Sequence, residues 1–256
     1  MATSMRMDMM TSPPPTLTAP RMVPVLLAFV AGAVDAATFL ALFGLFVAQV
    51  TGSFITVGVQ IVTHDPTSLT RMLAIPVFFV AGAGIVLVAS AQRFTARALA
   101  LSLTIEAVLL AAFTATGIAA TPFASPNAPS AVLASVLGLL AMGVQSAMVR
   151  LMLRGVASTN VMTTNTTQLA IDVAEWLIAS WRSSRSPQDP SARQARTGAA
   201  GRIAALGPIM AGFLAGSLCG AVGFAGIGFW CLLAAIAILL GLIGWALRRN
   251  REVAAR

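Results

Sequence analysis

The sequence predicts an all-α integral membrane protein: six membrane-spanning helices and two short re-entrant segments, arranged as a two-fold, inverted internal repeat. Three observations carry this expectation. Hydrophobic residues make up 58% of the 256 positions and charged residues only 9%, against about 25% charged in a soluble domain. The apolar residues come in runs of the ~20 needed to cross a bilayer. The basic residues, sixteen in number and all arginine, fall mainly between those runs, as cytoplasmic loops require. The net charge of +8 therefore belongs to loops facing lipid head groups and gives no reason to expect a nucleic-acid partner.

The first run, 23–45, contains "LLAFVAGAVDAATFLALFGLF" with Asp35 in its middle. A charge at the centre of a spanning helix costs roughly 2.5–3.5 kcal/mol on insertion scales, so Asp35 is a candidate functional group. The further runs are 72–92, 98–120, 130–149, 203–224 and 227–247, and the third of the six carries a second intramembrane carboxyl, Glu106. Both carboxyls are candidate proton carriers. The stretches 46–63 and 158–181 are polar near their starts and ambiguous. If both cross, Arg93, Arg97, Arg150 and Arg154 fall outside; if neither does, only Arg71 does. The excess of arginine on cytoplasmic loops favours six crossings, with residue 66 outside, residue 190 inside and both termini cytoplasmic.

Six crossings plus two re-entrant segments divide the chain into 23–120 and 130–247, each a helix, a re-entrant segment and two helices. Three crossings per half invert one half against the other, a layout of secondary transporters. Matching residues support it. Gly32 to Ala36 correspond to Gly143 to Ala147, which include Gln145 and Ser146. Thr51-Gly52-Ser53 correspond to Thr163-Thr164-Asn165, at an offset of 111 to 112 residues in both cases. Ser53 suits the N-cap of a short helix over 54–62. Two half-helix N-termini meeting near the midplane would suit an anion or carboxylate.

"AGAVDAATFLALFGLFVAQVTGSFITVGVQ" and "LLAMGVQSAMVRLMLRGVASTNVMTTNTTQLA" resemble the YoaK-like family of bacterial multi-pass membrane proteins, a domain of unknown function. The family pattern has Thr-Gly-Asn where this chain has Thr51-Gly52-Ser53. It has Asn at the position of Ser146, and Thr-Gly where this chain has Thr163-Thr164. The resemblance implies an inner-membrane location and a suspected transport role, without a substrate.

The remaining features define the ends and surfaces. Residues 1–22 are Pro/Thr/Met-rich and expected to be disordered. The stretch 182–202 reads as a flexible cytoplasmic linker touching anionic head groups, and 248–256 as a basic tail. Gln168, Asp172 and Glu175 share a helix face that could line a cavity or meet solvent. His64-Asp65-Pro66 reads as a turn. Cys219 and Cys231 read as buried small hydrophobes, and no cofactor or metal set is indicated. Gly212, Gly216 and Gly220 form a small-xxx-small stripe for a close helix contact, within the bundle or in a homo-oligomer. The expected function is secondary transport of a small, anionic solute coupled to protons. A membrane assembly or sensor role is the alternative, and an intramembrane enzyme is disfavoured because no Gly-x-Gly-Asp pair or buried histidine is present.

Overall fold

The structure is a computed structural model that describes residues 19–63, 69–92, 95–153, 155–186 and 188–254. The expectations for residues 1–18 and for His64-Asp65-Pro66 lie outside the described residues. Helices account for nearly all of the rest: α1 (Met22–Ala41), α2 (Thr51–Thr63), α3 (Leu69–Ala91), α4 (Ala96–Ala120), α5 (Pro129–Met152), α6 (Met162–Arg185), α7 (Pro190–Ile227), a 3-10 turn (Gly228–Leu232) and α8 (Leu233–Ala254).

Among the described residues, five stretches are long and apolar enough to cross a membrane: α1, α3, α4, α5 and the 62 residues Pro190–Arg251. Gly228 breaks the last of these, with φ +58° in a region that side chains disfavour. The chain doubles back there. Cys231 Sγ comes 4.0 Å from the Gly220 carbonyl oxygen, whereas continuous helix would separate those residues by roughly 16 Å. Phe229 fills the reversal, edge-on to Phe113 at 5.4 Å, Phe123 at 6.2 Å and Phe224 at 5.2 Å. Both cysteines are free. Cys219 is exposed and Cys231 half-buried, so the reading of both as buried core is corrected.

α1 and α7 pack most closely. A methyl group added at Gly212 would meet the Val25 carbonyl oxygen at 2.7 Å, and one at Gly216 or Gly220 would fall on the carbonyls of Phe29 or Ala33. Residue numbers rise together in steps of four, so the helices run parallel with their backbones nearly touching. The small-xxx-small stripe is therefore used inside the bundle. Elsewhere α3 packs on α5, where Gly143 admits Ala81; α4 packs on α5 and α8; α8 also touches α1; α2 lies on α3 and α6 on α7.

α7 has 38 residues, about 57 Å at 1.5 Å per residue, nearly twice a ~30 Å hydrocarbon core. Because Gly212 lies beside Val25, near the start of α1, the first part of α7 projects past that end of α1. α6 runs back along it. The buried residues of α6 are Asn165, Asp172 and Ala179, at seven-residue spacing, and those of the projecting part of α7 are Ala192, Ala199 and Leu206, at the same spacing. Arg202 Nε donates to Asp172 Oδ1 at 2.6 Å, and its Nη2 donates to Glu175. Gln168 donates to the same Asp172 oxygen at 3.1 Å. The Arg202 hydrogen bond holds the Asp172 carboxyl below the ordinary aspartate range.

The expected linker over 182–202 is corrected. α6 continues to Arg185, and α7 opens at Pro190, with Asp189 accepting from the Ser191 and Ala192 N–H groups. An Asp N-cap followed by Pro at the first helical position is a strong helix start, and it prevails over the Arg/Ser composition. α2, with 13 residues, is too short to cross alone. α6 is long enough, but it is not among the apolar set, being rich in Thr, Asn and Gln near its start.

Candidate functional site

The helix ends Ala41 and Met152 are followed by two loops of the same shape. Leu42 (φ −116°, ψ 46°) and Leu153 (φ −109°, ψ 53°) close α1 and α5 alike. Gly44 and Gly155 follow with φ +79° and +82°. The Leu45 N–H donates to Leu42, and the Val156 N–H to Leu153. Each loop then folds back along the helix it has just left and starts the next helix from inside the bundle.

Asp35 holds the first loop in place. It is 2% exposed. Its Oδ1 accepts from the Val47 N–H at 2.9 Å and the Ala48 N–H at 2.7 Å, and its Oδ2 from Gln49 Nε2 at 3.3 Å. The carboxyl thus supplies acceptors that backbone N–H groups in an apolar interior otherwise lack. Gln145 and Ser146 hold the second loop. Gln145 Nε2 donates to the Leu27 carbonyl at 3.0 Å and to Thr159 Oγ1 at 3.2 Å, and Ser146 Oγ accepts from Asn160 Nδ2. The loops meet where Asn160 Nδ2 also donates to the Ala48 carbonyl at 3.0 Å. Asn165 Nδ2 closes the second loop on the Ser158 carbonyl at 2.7 Å.

A cavity of about 520 Å³ opens between the loops. Its polar lining is Gln49, Thr51, Ser146, Ser158, Asn160, Thr163 and one cation, Arg150; its apolar lining includes Phe54, Ile75, Phe78 and Phe79. Of the residues singled out in the sequence, Thr51, Ser146 and Thr163 line this cavity. Asp35, Gln145 and Asn165 lie behind it and shape the loops. Gly52 and Thr164 are exposed beyond its wall. Ser53 is buried in the first turn of α2, whose N–H groups at 53 and 54 reach back to the Val50 carbonyl. The helix therefore starts at Thr51, and the expected Ser53 cap is corrected: loop geometry sets the start, and the residue before it is an apolar valine.

Glu106 is elsewhere. It lies on α4, fully buried, and among the described residues neither carboxyl oxygen has a hydrogen-bond partner. Among the described residues no group of three or more His, Cys, Asp or Glu could hold a metal ion. The sequence reading missed Gln49, Thr159, Asn160 and Arg150. The first three had a signal, since Asp35–Gln49, Gln145–Thr159 and Ser146–Asn160 are each 14 residues apart.

Residues 23–245 match the model of a family described as "Protein of unknown function (DUF1275)". The chain belongs to this family. The family and the long apolar helices together make it an integral membrane protein. No curated protein and no solved structure matches the chain. The YoaK-like resemblance read from the loop segments is consistent with this family, and its description assigns no activity.

Proposed function

We propose that this DUF1275 protein is a secondary transporter of a small solute, built from two inverted repeats, α1–α4 and α5–α8, with six full crossings and both termini cytoplasmic. The observation that carries the reading is the meeting of two inward-folded loops, one from each half, at a cavity. Its surroundings support the repeat. Exchanging α1 with α5, α2 with α6, α3 with α7 and α4 with α8 turns the α1–α7 packing into α5–α3, α4–α5 into α8–α1, and α2–α3 into α6–α7, all of which occur. The described loop residues match at a single offset of 111, with Leu42 and Leu153, Gly44 and Gly155, and Gln49 and Asn160 as counterparts. Applied to the threonine motifs, this offset would pair Gly52 and Ser53 with Thr163 and Thr164, one position from the 112 offset of the sequence. Binding where two interrupted segments meet at a repeat interface is a transporter arrangement. Catalysis has less support, because the described lining carries no acid, histidine or cysteine.

Coupling to protons falls on Glu106 in this reading. Three N–H donors converge on Asp35, which suits a fixed acceptor that shapes a loop. Glu106 has none, and an ionised carboxyl without donors costs several kcal/mol in such surroundings. The described ionisable groups on elements packed against α4 are Arg71, Arg150, Cys231, Arg248, Arg249 and Arg251. In proteoliposomes, solute counterflow should exceed that of protein-free vesicles, and Glu106→Gln should remove the response to an imposed pH gradient while leaving counterflow intact. Counterflow that never exceeds the blank for any of a panel of small anions, cations and neutral solutes would refute transport.

A further inference from the structure

We propose that the cavity takes an organic monoanion with an apolar body, a water-soluble carboxylate of modest size, whose charge is held by Arg150 and by the first turns of α2 and α6. This rests on the transport reading for its purpose, but the binding chemistry stands on the cavity itself.

Charge comes first. Arg150 is the one charged side chain in the described lining. It lies in the last turn of α5 and forms no ion pair among the described residues: the recorded pairs both belong to Arg202. The three acids nearest in sequence logic are engaged or remote. Asp35 is occupied by Val47, Ala48 and Gln49, Asp172 by Arg202 and Gln168, and Glu106 is buried in α4.

The backbone adds to the same sign. α6 opens at Met162 after Val161, which supplies no side-chain cap. The first N–H with a helical acceptor is that of Asn165, which reaches Val161. The preceding N–H groups have no acceptor within the helix, as at any helix start, and Met162 and Thr163 line the cavity. Thr51 brings the start of α2 to the same space. Two positive helix ends and one guanidinium face a lining without a carboxylate. A cation would meet the guanidinium and the helix starts with no carboxylate in the described lining to offset them. A dianion would leave its second charge without a cationic partner.

The other wall defines the rest of the solute. Phe54, Ile75, Phe78 and Phe79 supply apolar surface, and about 520 Å³ lies within the ~300–1,000 Å³ of small-molecule pockets. The arrangement suits a carboxylate at the loops with a short aliphatic or aromatic body against α3.

The test uses the full chain in nanodiscs of neutral lipid. Calorimetric binding would be measured for hexanoate and phenylacetate, with hexanamide (neutral), hexylammonium (cation) and succinate (dianion) as comparisons. The two monocarboxylates should bind tightest. Arg150→Gln should weaken them by about 10- to 100-fold, the range for losing a hydrogen bond to a charged group. Arg150→Lys should restore most of that loss, and both variants should melt with the parent. Equal binding of hexanamide, hexylammonium or succinate would overturn the proposal, as would monocarboxylate binding insensitive to Arg150→Gln. So would displacement of both monocarboxylates by phosphatidylglycerol in the nanodisc, which would make the occupant a lipid head group. Monocarboxylate binding without uptake would keep this site and refute transport. Uptake of a cation or neutral solute, indifferent to Arg150→Gln, would keep transport and refute this site.

Discussion

Asp35 accepts where Gln145 donates. Its two oxygens take N–H groups from Val47, Ala48 and Gln49, while Gln145 gives its amide hydrogens to Leu27 and Thr159. Removing the Asp35 carboxyl leaves two buried backbone N–H groups without acceptors, at about 1–3 kcal/mol each. Asp35→Ala should therefore destabilise the protein by roughly 2–5 kcal/mol. Asp35→Asn keeps one oxygen for the backbone pair and should cost less than half as much. Thermal unfolding in detergent reads this order; equal midpoints for the two variants would mean that the loop does not depend on the acceptor. The burial of Asp35 was visible in the sequence, because apolar residues flank it for a full span. Its partners were not, since two of them are backbone groups that any residue type would present. Arg150 was overlooked for another reason: counting arginines to orient loops treats each as a bulk charge and hides the one that faces a cavity.

At the scale of helices, the glycine stripe decides the α1–α7 contact. Gly216→Ala would drive a methyl group into the Phe29 carbonyl, and forcing these backbones apart should cost about 1–3 kcal/mol or more. Gly201→Ala, on the projecting part of the same helix with nothing within 4 Å, should be neutral or stabilising by up to about 1 kcal/mol, the helix-propensity difference. A lower melting temperature for Gly201→Ala than for Gly216→Ala would contradict the contact. The stripe was readable from its four-residue spacing, but its partner was not, since spacing shows that something approaches closely and not what. The α6–α7 hairpin was misread for a different cause. Composition pointed to a linker, while Asp189-Pro190 carried a helix start in two residues. The Arg202 pairing with Asp172 and Glu175 spans 30 and 27 residues, beyond any local pattern.

For the whole molecule, the proposed inverted arrangement fixes which surfaces share a side of the membrane. Cysteines placed at Gln188, in the α6–α7 turn, and at Ser125, between α4 and α5, should label from opposite sides, with Gln188 cytoplasmic. Labelling of both from one side would require the second ambiguous segment, 158–181, to cross and would remove the inversion. The apolar runs made the all-helical, membrane-embedded character legible in the sequence, because lipid enforces long uniform helices. The register of the proposed repeat rests on the loop geometry of Gly44 and Gly155, because threonine is common enough in these segments to match one position out.

The parallel pairing of α1 with α7 also has a temporal side. Asp35 meets Val47 to Gln49 almost as soon as they are made, so the costly carboxyl is satisfied within the first segment to be inserted. The backbone groove of α1 waits for Gly212 to Gly220, nearly the whole chain later. At roughly 5–20 residues per second, that wait is on the order of 10–35 s, during which the small-residue face of α1 must be borne by lipid or by the insertion machinery. Assembly of this bundle thus ends, rather than begins, with its tightest contact.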